Sequence, residues 1–137
     1  MRPYRFLLVD DDPISNFITS RMLHAAGIRN SITATQTVDQ ALEHLKKLFS
    51  QTADARLIVF LDIYMPLKNG FDFLKEFELL GKRIRDRVVI VVLTVSGEAN
   101  ERRRAAEYCV KKYLLKPLNV EALSEVLEHS NLQPGQS

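Results

Sequence analysis

Val88-Val89-Ile90-Val91-Val92-Leu93 is the most apolar run in the sequence, and no polar residue alternates within it. Successive residues of a strand point to opposite faces, so a strand with one wet face alternates polar and apolar side chains. An unbroken run of this kind predicts a strand buried on both faces, as in a parallel sheet covered by helices. Working outward, Phe6-Leu7-Leu8-Val9, Leu57-Ile58-Val59-Phe60-Leu61 and the shorter Tyr113-Leu114-Leu115 have the same character. Ser31-Ile32-Thr33-Ala34 is more polar and reads as an edge strand.

Helical spacing fills the intervals. The first helix is expected from Pro13, with Asp12 as N-cap and proline at the first helical position. Ile14, Phe17, Ile18 and Met22 are its expected apolar face, and Gly27 its end. The second is expected at Thr37, where Thr37 and Gln40 have capping-box spacing, with Val38, Ala41, Leu42, Leu45 and Phe49 inward. The third follows Gly70, with Phe73, Leu74 and Phe77 inward and Gly81 as the stop. The fourth, after Ser96, carries Arg102-Arg103-Arg104 and has a weak apolar face; the arginines are expected to be solvated. The fifth begins near Asn119, with Val120, Leu123, Val126 and Leu127 inward. Five strands and five helices in strict alternation predict an α/β fold: a parallel sheet with right-handed crossovers and helices on both faces. Ligands of such folds bind at the carboxyl ends of the strands, beside the switch in strand order.

A chain of 137 residues fits one domain, with a core of about residues 5–129 and a frayed tail at 130–137. A hydrophobic content of 46% argues against disorder. A net charge of +2 gives no argument for nucleic-acid binding. Cys109 is the only cysteine, so no intramolecular disulfide forms; it is expected to be a buried filler. The first apolar run ends in three aspartates, which excludes a signal-peptide core, and no apolar stretch approaches a membrane span. The expectation is a cytoplasmic protein without membrane or nucleic-acid partners. No output domain is expected after the last helix.

Polar residues gather where the apolar runs stop. Asp10, Asp11 and Asp12 follow the first strand, Asp62 the third, Thr94 the fourth and Lys116 the fifth. A doubly wound sheet brings these strand ends to one edge. Taken singly, each has a plain explanation as a turn, a cap or a solvated loop residue. Their joint placement at successive strand ends points to a site. Carboxylates in one cleft repel each other by about 4 kcal/mol per pair at 4 Å and an effective dielectric near 20. Such a cluster must protonate or bind a cation. Oxygen donors without histidine favour a hard cation, Mg²⁺ being the common choice.

Phe6-Leu7-Leu8-Val9-Asp10-Asp11-Asp12-Pro13 resembles the acidic-pair motif of response-regulator receiver domains, as found in the chemotaxis-regulator-like proteins of two-component signalling. Phe60-Leu61-Asp62-Ile63-Tyr64-Met65-Pro66-Leu67-Lys68-Asn69-Gly70 resembles their phosphoacceptor motif. Val92-Leu93-Thr94 and Tyr113-Leu114-Leu115-Lys116-Pro117 resemble the remaining two, and the resemblance covers about Arg5 to His129. It implies a flavodoxin-like (βα)5 sandwich of strand order 2-1-3-4-5, as a single receiver domain. It implies that Asp62 accepts a phosphoryl group from a phosphohistidine of a sensor histidine kinase or histidine phosphotransfer protein. Asp11 would bind Mg²⁺ directly and Asp10 mainly through water, with the backbone carbonyl of Tyr64 and Asp62 completing the protein ligands. Thr94 would hydrogen-bond one phosphoryl oxygen and Lys116 would pair with another. Tyr113 would be the aromatic switch that turns inward as Thr94 moves. The fourth helix, fifth strand and fifth helix would form the readout surface for a downstream protein. The resemblance leaves a homodimer through the last helices open.

Three departures from the family pattern stand out. Val95 replaces the usual smaller residue after Thr94 and is expected to narrow access to Asp62. Tyr64 and Ser96 occupy positions that tune dephosphorylation, and a tyrosine there would shield the phosphoryl group from water. Cys109-Val110 stands where the family often has Gly-Ala, so a left-handed cap would be strained and the loop should differ in shape. His24, His44 and His129 have no ligand spacing. Two other function classes compete. One is a receiver-like scaffold that works without phosphate. The other is an aspartate-nucleophile phosphatase of the haloacid-dehalogenase type. That type needs an acid two residues after the nucleophile, where this chain has Tyr64, so general acid–base catalysis lacks a carrier. The chain is expected to catalyse only its own phosphorylation and dephosphorylation.

Overall fold

Each of the five apolar runs is a strand in the computed structural model, which describes residues 4–129. The order is β1 (Tyr4–Val9), α1 (Pro13–Ala25), β2 (Ile32–Thr35), α2 (Val38–Gln51), β3 (Arg56–Leu61), α3 (Gly70–Glu78), α4 (Lys82–Arg85), β4 (Val88–Thr94), α5 (Ala99–Ala105), β5 (Lys112–Leu115) and α6 (Val120–His129). All strand pairs are parallel, in the order β2-β1-β3-β4-β5, and β2 is indeed an edge. The tail expected at 131–137 and the side chain of His129 lie outside the described residues.

The double burial of the strands is visible residue by residue. Leu7, Val9, Leu57, Val59, Ile90 and Val92 pack on one face, with Leu45 of α2 and Phe73 and Phe77 of α3. Their alternates Phe6, Leu8, Ile58, Phe60, Val91 and Leu93 pack on the other, with Leu23 of α1 and Leu127 of α6. Burying each such side chain is worth about 1.5–3 kcal/mol, which is why no polar residue stands within Phe6–Val9, Leu57–Leu61 or Val88–Leu93.

Local capping fixes the helix starts. Asp12 Oδ1 accepts from Ile14 N–H at 2.9 Å, and Gly27 ends the first connection at φ 91°. Thr37 accepts from Gln40 N–H at 3.1 Å, but the Gln40 side chain accepts from Gln36 N–H at 3.0 Å, one residue before a true capping box. A full box forms unexpectedly at α3, between Asn69 and Asp72.

Several expectations are corrected. The described residues form six helices: α3 ends at Glu78, and Gly81 precedes the short α4 instead of stopping α3. α5 starts at Ala99 and runs only seven residues. α1 is turned away from its expected face: Ile14 and Phe17 are 67% and 63% exposed, while Asn16, Thr19 and Leu23 are buried. The rotation brings Asn16 to the polar end of the sheet, where its amide is used. Val120 is exposed, whereas Leu123, Val126 and Leu127 are buried. Cys109 is exposed. It lies in a loop whose backbone avoids the left-handed region; among the described non-glycine residues only Ser31 and Leu67 have positive φ. The arginines of α5 are exposed as expected, and two of them also cover rings: Arg102 lies over Tyr113 at 4.9 Å and Arg104 over Phe71 at 4.0 Å.

Candidate functional site

The strand order reverses at β1, so the crevice lies at the carboxyl ends of β1 and β3. The parallel ladder continues one residue past several strands and thereby places the polar residues. Asp10 N–H donates to Thr35 O at 3.1 Å, Asp62 N–H to Val9 O at 2.9 Å, and Lys116 N–H to Thr94 O at 2.7 Å. One carboxylate oxygen from each of Asp10, Asp11 and Asp62 comes within 4.8 Å of the others. Asp10 and Asp62 are buried and Asp11 is exposed. Asp12 stays out of the group as the helix cap, as its position before Pro13 suggests.

Lys116 reaches in from β5. Its Nζ lies 2.5 Å from Asp10 Oδ2 and 3.8 Å from Asp62 Oδ2. Asp62 is held further by Tyr64 N–H, 3.4 Å from its Oδ1. Burial pushes the Asp62 carboxyl up to about 6; Lys116 opposes the rise, and Asp10 and Asp11 add to it. Three carboxylates against one ammonium leave a net charge of about −2 when all are ionised. That donor set, all hard oxygen and deficient in positive charge, fits a divalent cation of the Mg²⁺ type.

Two further residues support this crevice: Asn16, which no motif announces, and Gly70, the last residue of the Phe60–Gly70 motif. Asn16 Nδ2 donates to Asp10 O at 3.1 Å and Thr35 O at 3.2 Å, tying α1 to the acidic turn. Gly70 packs so closely behind Asp62 that a Cβ there would stand 2.7 Å from Asp62 O and 2.8 Å from Ile63 Cα.

Thr94 is fully buried at the end of β4, and its Oγ1 accepts from Ser96 N–H at 3.3 Å. Tyr113 is docked on the β4–α5 connection, donating to Ser96 O at 3.0 Å and to the Glu101 carboxylate. Burial first, and then Glu101, push its phenol far above the usual range. Glu101 is the second unheralded residue: it is 6% exposed on a helix whose neighbours Arg102, Arg103 and Arg104 are exposed. Tyr64 is 51% and Val95 75% exposed. Val95 shares an apolar groove with Ile14, Ile18, Leu93, Lys116 and Leu118.

A doubly wound flavodoxin-like α/β domain with an acidic crevice at its switch point is thus the class that fold and site define. The sequence profile of the family described as "Response regulator receiver domain" matches residues 6–128, and the chain belongs to that family, the receivers of two-component signalling. A "Crystal structure of Two component response regulator from Cytophaga hutchinsonii" superposes with a TM-score of 0.85 at 23% identity, covering 94% of this chain and 97% of that one. A response regulator receiver protein from Dyadobacter fermentans DSM 18053 gives 0.82 at 25% identity, covering 95% and 99%. "Two-component response regulator ORR22" of Oryza sativa subsp. indica is 30% identical over 91% of this chain, which spans only 16% of that regulator's length. No helix among the described residues is long and apolar enough to cross a membrane.

Proposed function

We propose that the chain is a phosphorylation-dependent signalling switch in which Asp62 accepts a phosphoryl group from a phosphohistidine of a sensor histidine kinase or phosphotransfer protein. The observation that carries this reading is the convergence of Asp10, Asp11 and Asp62 on Lys116 at the switch point. Above a pH of about 6 the Asp62 carboxylate is ionised and able to attack phosphorus. The phosphorus–nitrogen bond to imidazole breaks as the bond to an Asp62 oxygen forms, and the imidazole leaves with the electron pair and takes a proton from water. Transfer of this kind is mostly positioning and charge neutralisation. Asp62 is positioned by its ladder bond to Val9 and by Tyr64 N–H. Lys116 sits within reach of an oxygen added to Asp62, and Thr94 would turn its hydroxyl from Ser96 toward another. Asp10, Asp11, Asp62 and the carbonyl of Tyr64 would hold Mg²⁺, which when bound neutralises charge on the phosphoryl oxygens.

Exposed Ile14, Phe17 and Ile18 on α1 support a protein donor, because an apolar helix face beside the crevice suits docking better than solvent. Phosphorylation adds roughly −1.5 to −2 charges and new acceptors beside Thr94. Movement of Thr94 would bias Tyr113 and with it the α5–β5–α6 surface that a downstream protein reads. The chain catalyses only its own phosphorylation and dephosphorylation in this reading. The test is intact mass after incubation with Mg²⁺ and acetyl phosphate, beside Asp62→Asn. One phosphoryl group gained only with Mg²⁺, and absent in the variant, is the expected result; no gain contradicts the reading.

A phosphate-independent scaffold is the second reading. Tyr113 is docked on Ser96 and Glu101 by bonds that involve neither Asp62 nor Lys116, which favours it. Partner binding unchanged by Asp62→Asn would select it.

A further inference from the structure

Glu101 is buried, and no ion pair among the described residues involves it. One of its oxygens accepts from the Tyr113 hydroxyl, and the other, Oε2, is buried with no hydrogen-bond donor. An acid in the first turn of a helix is favoured by the helix dipole, but exposed Glu98 just before α5 has that benefit without desolvation. Burial of a carboxylate with an orphan oxygen is unfavourable unless a donor can reach it. Only one proton is available on Tyr113, and Ser96 O competes for it at 3.0 Å.

A second phenol stands close by. Tyr64 and Glu101 line the same cleft, with Phe71 and Arg104. Tyr64 is half-exposed there, and no bond closes on Oε2. One ring, Tyr113 from the fifth strand, thus bonds the carboxylate, and a second, Tyr64 from the loop beside Asp62, lines the cleft next to its unpartnered oxygen.

We propose that Glu101 is a positioning residue that holds two tyrosines at once, Tyr113 through Oε1 and Tyr64 through Oε2, and so links the readout surface to the residue flanking the phosphoacceptor. Arg102, stacked on Tyr113, closes the docked ring from the outside. The docked position of Tyr113 is thereby populated without phosphate, and phosphorylation shifts an equilibrium already biased toward it. Release of one phenol frees acceptor capacity for the other, so the two rings respond to each other. The proposal deepens the switch reading, but it is tested on the unphosphorylated chain; a protein that never took up phosphate would leave it standing.

The test is fluorine NMR of the full chain labelled with 3-fluorotyrosine at neutral pH. The sequence has 4 tyrosines, assigned by single Tyr→Phe changes. Glu101→Ala is expected to shift the Tyr64 and Tyr113 lines together toward the position of a free tyrosine, while Tyr4 stays in place. An unmoved Tyr64 line in that variant would overturn the proposal and leave Glu101 as a partner of Tyr113 alone. Should Glu101→Ala fail to fold, Glu101→Gln carries the same test. Its amide has one acceptor oxygen where the carboxylate has two. At least one of the two lines then moves, and both remaining in place would overturn the proposal.

Discussion

Lys116 Nζ lies 2.5 Å from Asp10 Oδ2, so the lysine spends its charge on the acidic pair while standing 3.8 Å from Asp62. The lysine is thus a built-in counter-ion as well as a candidate phosphoryl ligand. A divalent cation would compete with it for Asp10. Lys116→Met is expected to lower stability by about 1–3 kcal/mol in chelator, because the buried carboxylates lose their partner. Saturating Mg²⁺ should close much of that gap, and Mg²⁺ should bind the variant more tightly than the wild type. Urea melts with and without Mg²⁺ measure both; weaker Mg²⁺ binding in the variant would contradict the competition.

The raised Asp62 carboxyl makes stability depend on pH in a definite direction. Its folded value is about 6, against about 4 in an unfolded chain. Between those values the folded state binds more protons, so stability falls as pH rises through the window and the penalty is complete above it. Asp62→Asn removes the charge. In metal-free buffer its Tm is expected to exceed that of the wild type near neutral pH, with the two converging on acidification toward pH of about 4. A gap that widens on acidification would refute the assignment.

The strands were legible because double burial leaves unbroken apolar runs, their order followed only from the family resemblance, and strand ends announced themselves as Asp10, Asp62, Thr94 and Lys116. What escaped reading depended on tertiary choice. Ile14, Phe17 and Ile18 have perfect helical spacing, yet α1 turns Asn16 and Thr19 inward, and Asn16 bonds the acidic turn and β2. Periodicity finds an apolar stripe but does not say whether the sheet or a partner covers it. Glu101 in the run Glu101-Arg102-Arg103-Arg104 looks like one more surface charge; only the fold brings Tyr113, 12 residues away, to its carboxylate. The extra helix α4 is a single turn, below the length at which periodicity speaks.

Gly70 is required by space, not by a left-handed backbone. A Cβ would press on Asp62 O at 2.7 Å and Ile63 Cα at 2.8 Å, both backbone atoms that move only with the phosphoacceptor loop. Gly70→Ala is expected to cost about 1–3 kcal/mol in urea unfolding. It should also slow labelling by acetyl phosphate, because the strain falls on Asp62. Unchanged stability would show that the loop relaxes freely.

Val95 is 75% exposed and shares its groove with Lys116. In the proposed reading it narrows the approach of small donors. Val95→Ala is expected to accelerate labelling by acetyl phosphate, with stability within about 0.5 kcal/mol of the wild type, as is usual for an exposed site. Time-resolved intact mass decides it, and equal rates would remove Val95 from the account of access.

Phe17 separates docking from chemistry. Its ring is 63% exposed on α1, beside Arg21 at 6.0 Å, and touches neither the acidic cluster nor Lys116 by any bond described above. An exposed apolar ring contributes little to folding, so Phe17→Asp is expected to change stability by no more than about 0.5 kcal/mol. If α1 receives the phosphoryl donor, the buried charge in the interface should cut transfer from a phosphohistidine protein at least tenfold, since about 1.4 kcal/mol suffices for that. Labelling by acetyl phosphate should be unaffected, because a small donor needs no helix to dock on. The measurement is the ratio of the two rates in variant and wild type. A selective loss with the protein donor places docking on α1. Equal rates with both donors would move docking elsewhere, and equal losses would show that the substitution disturbs the Asp62 crevice itself.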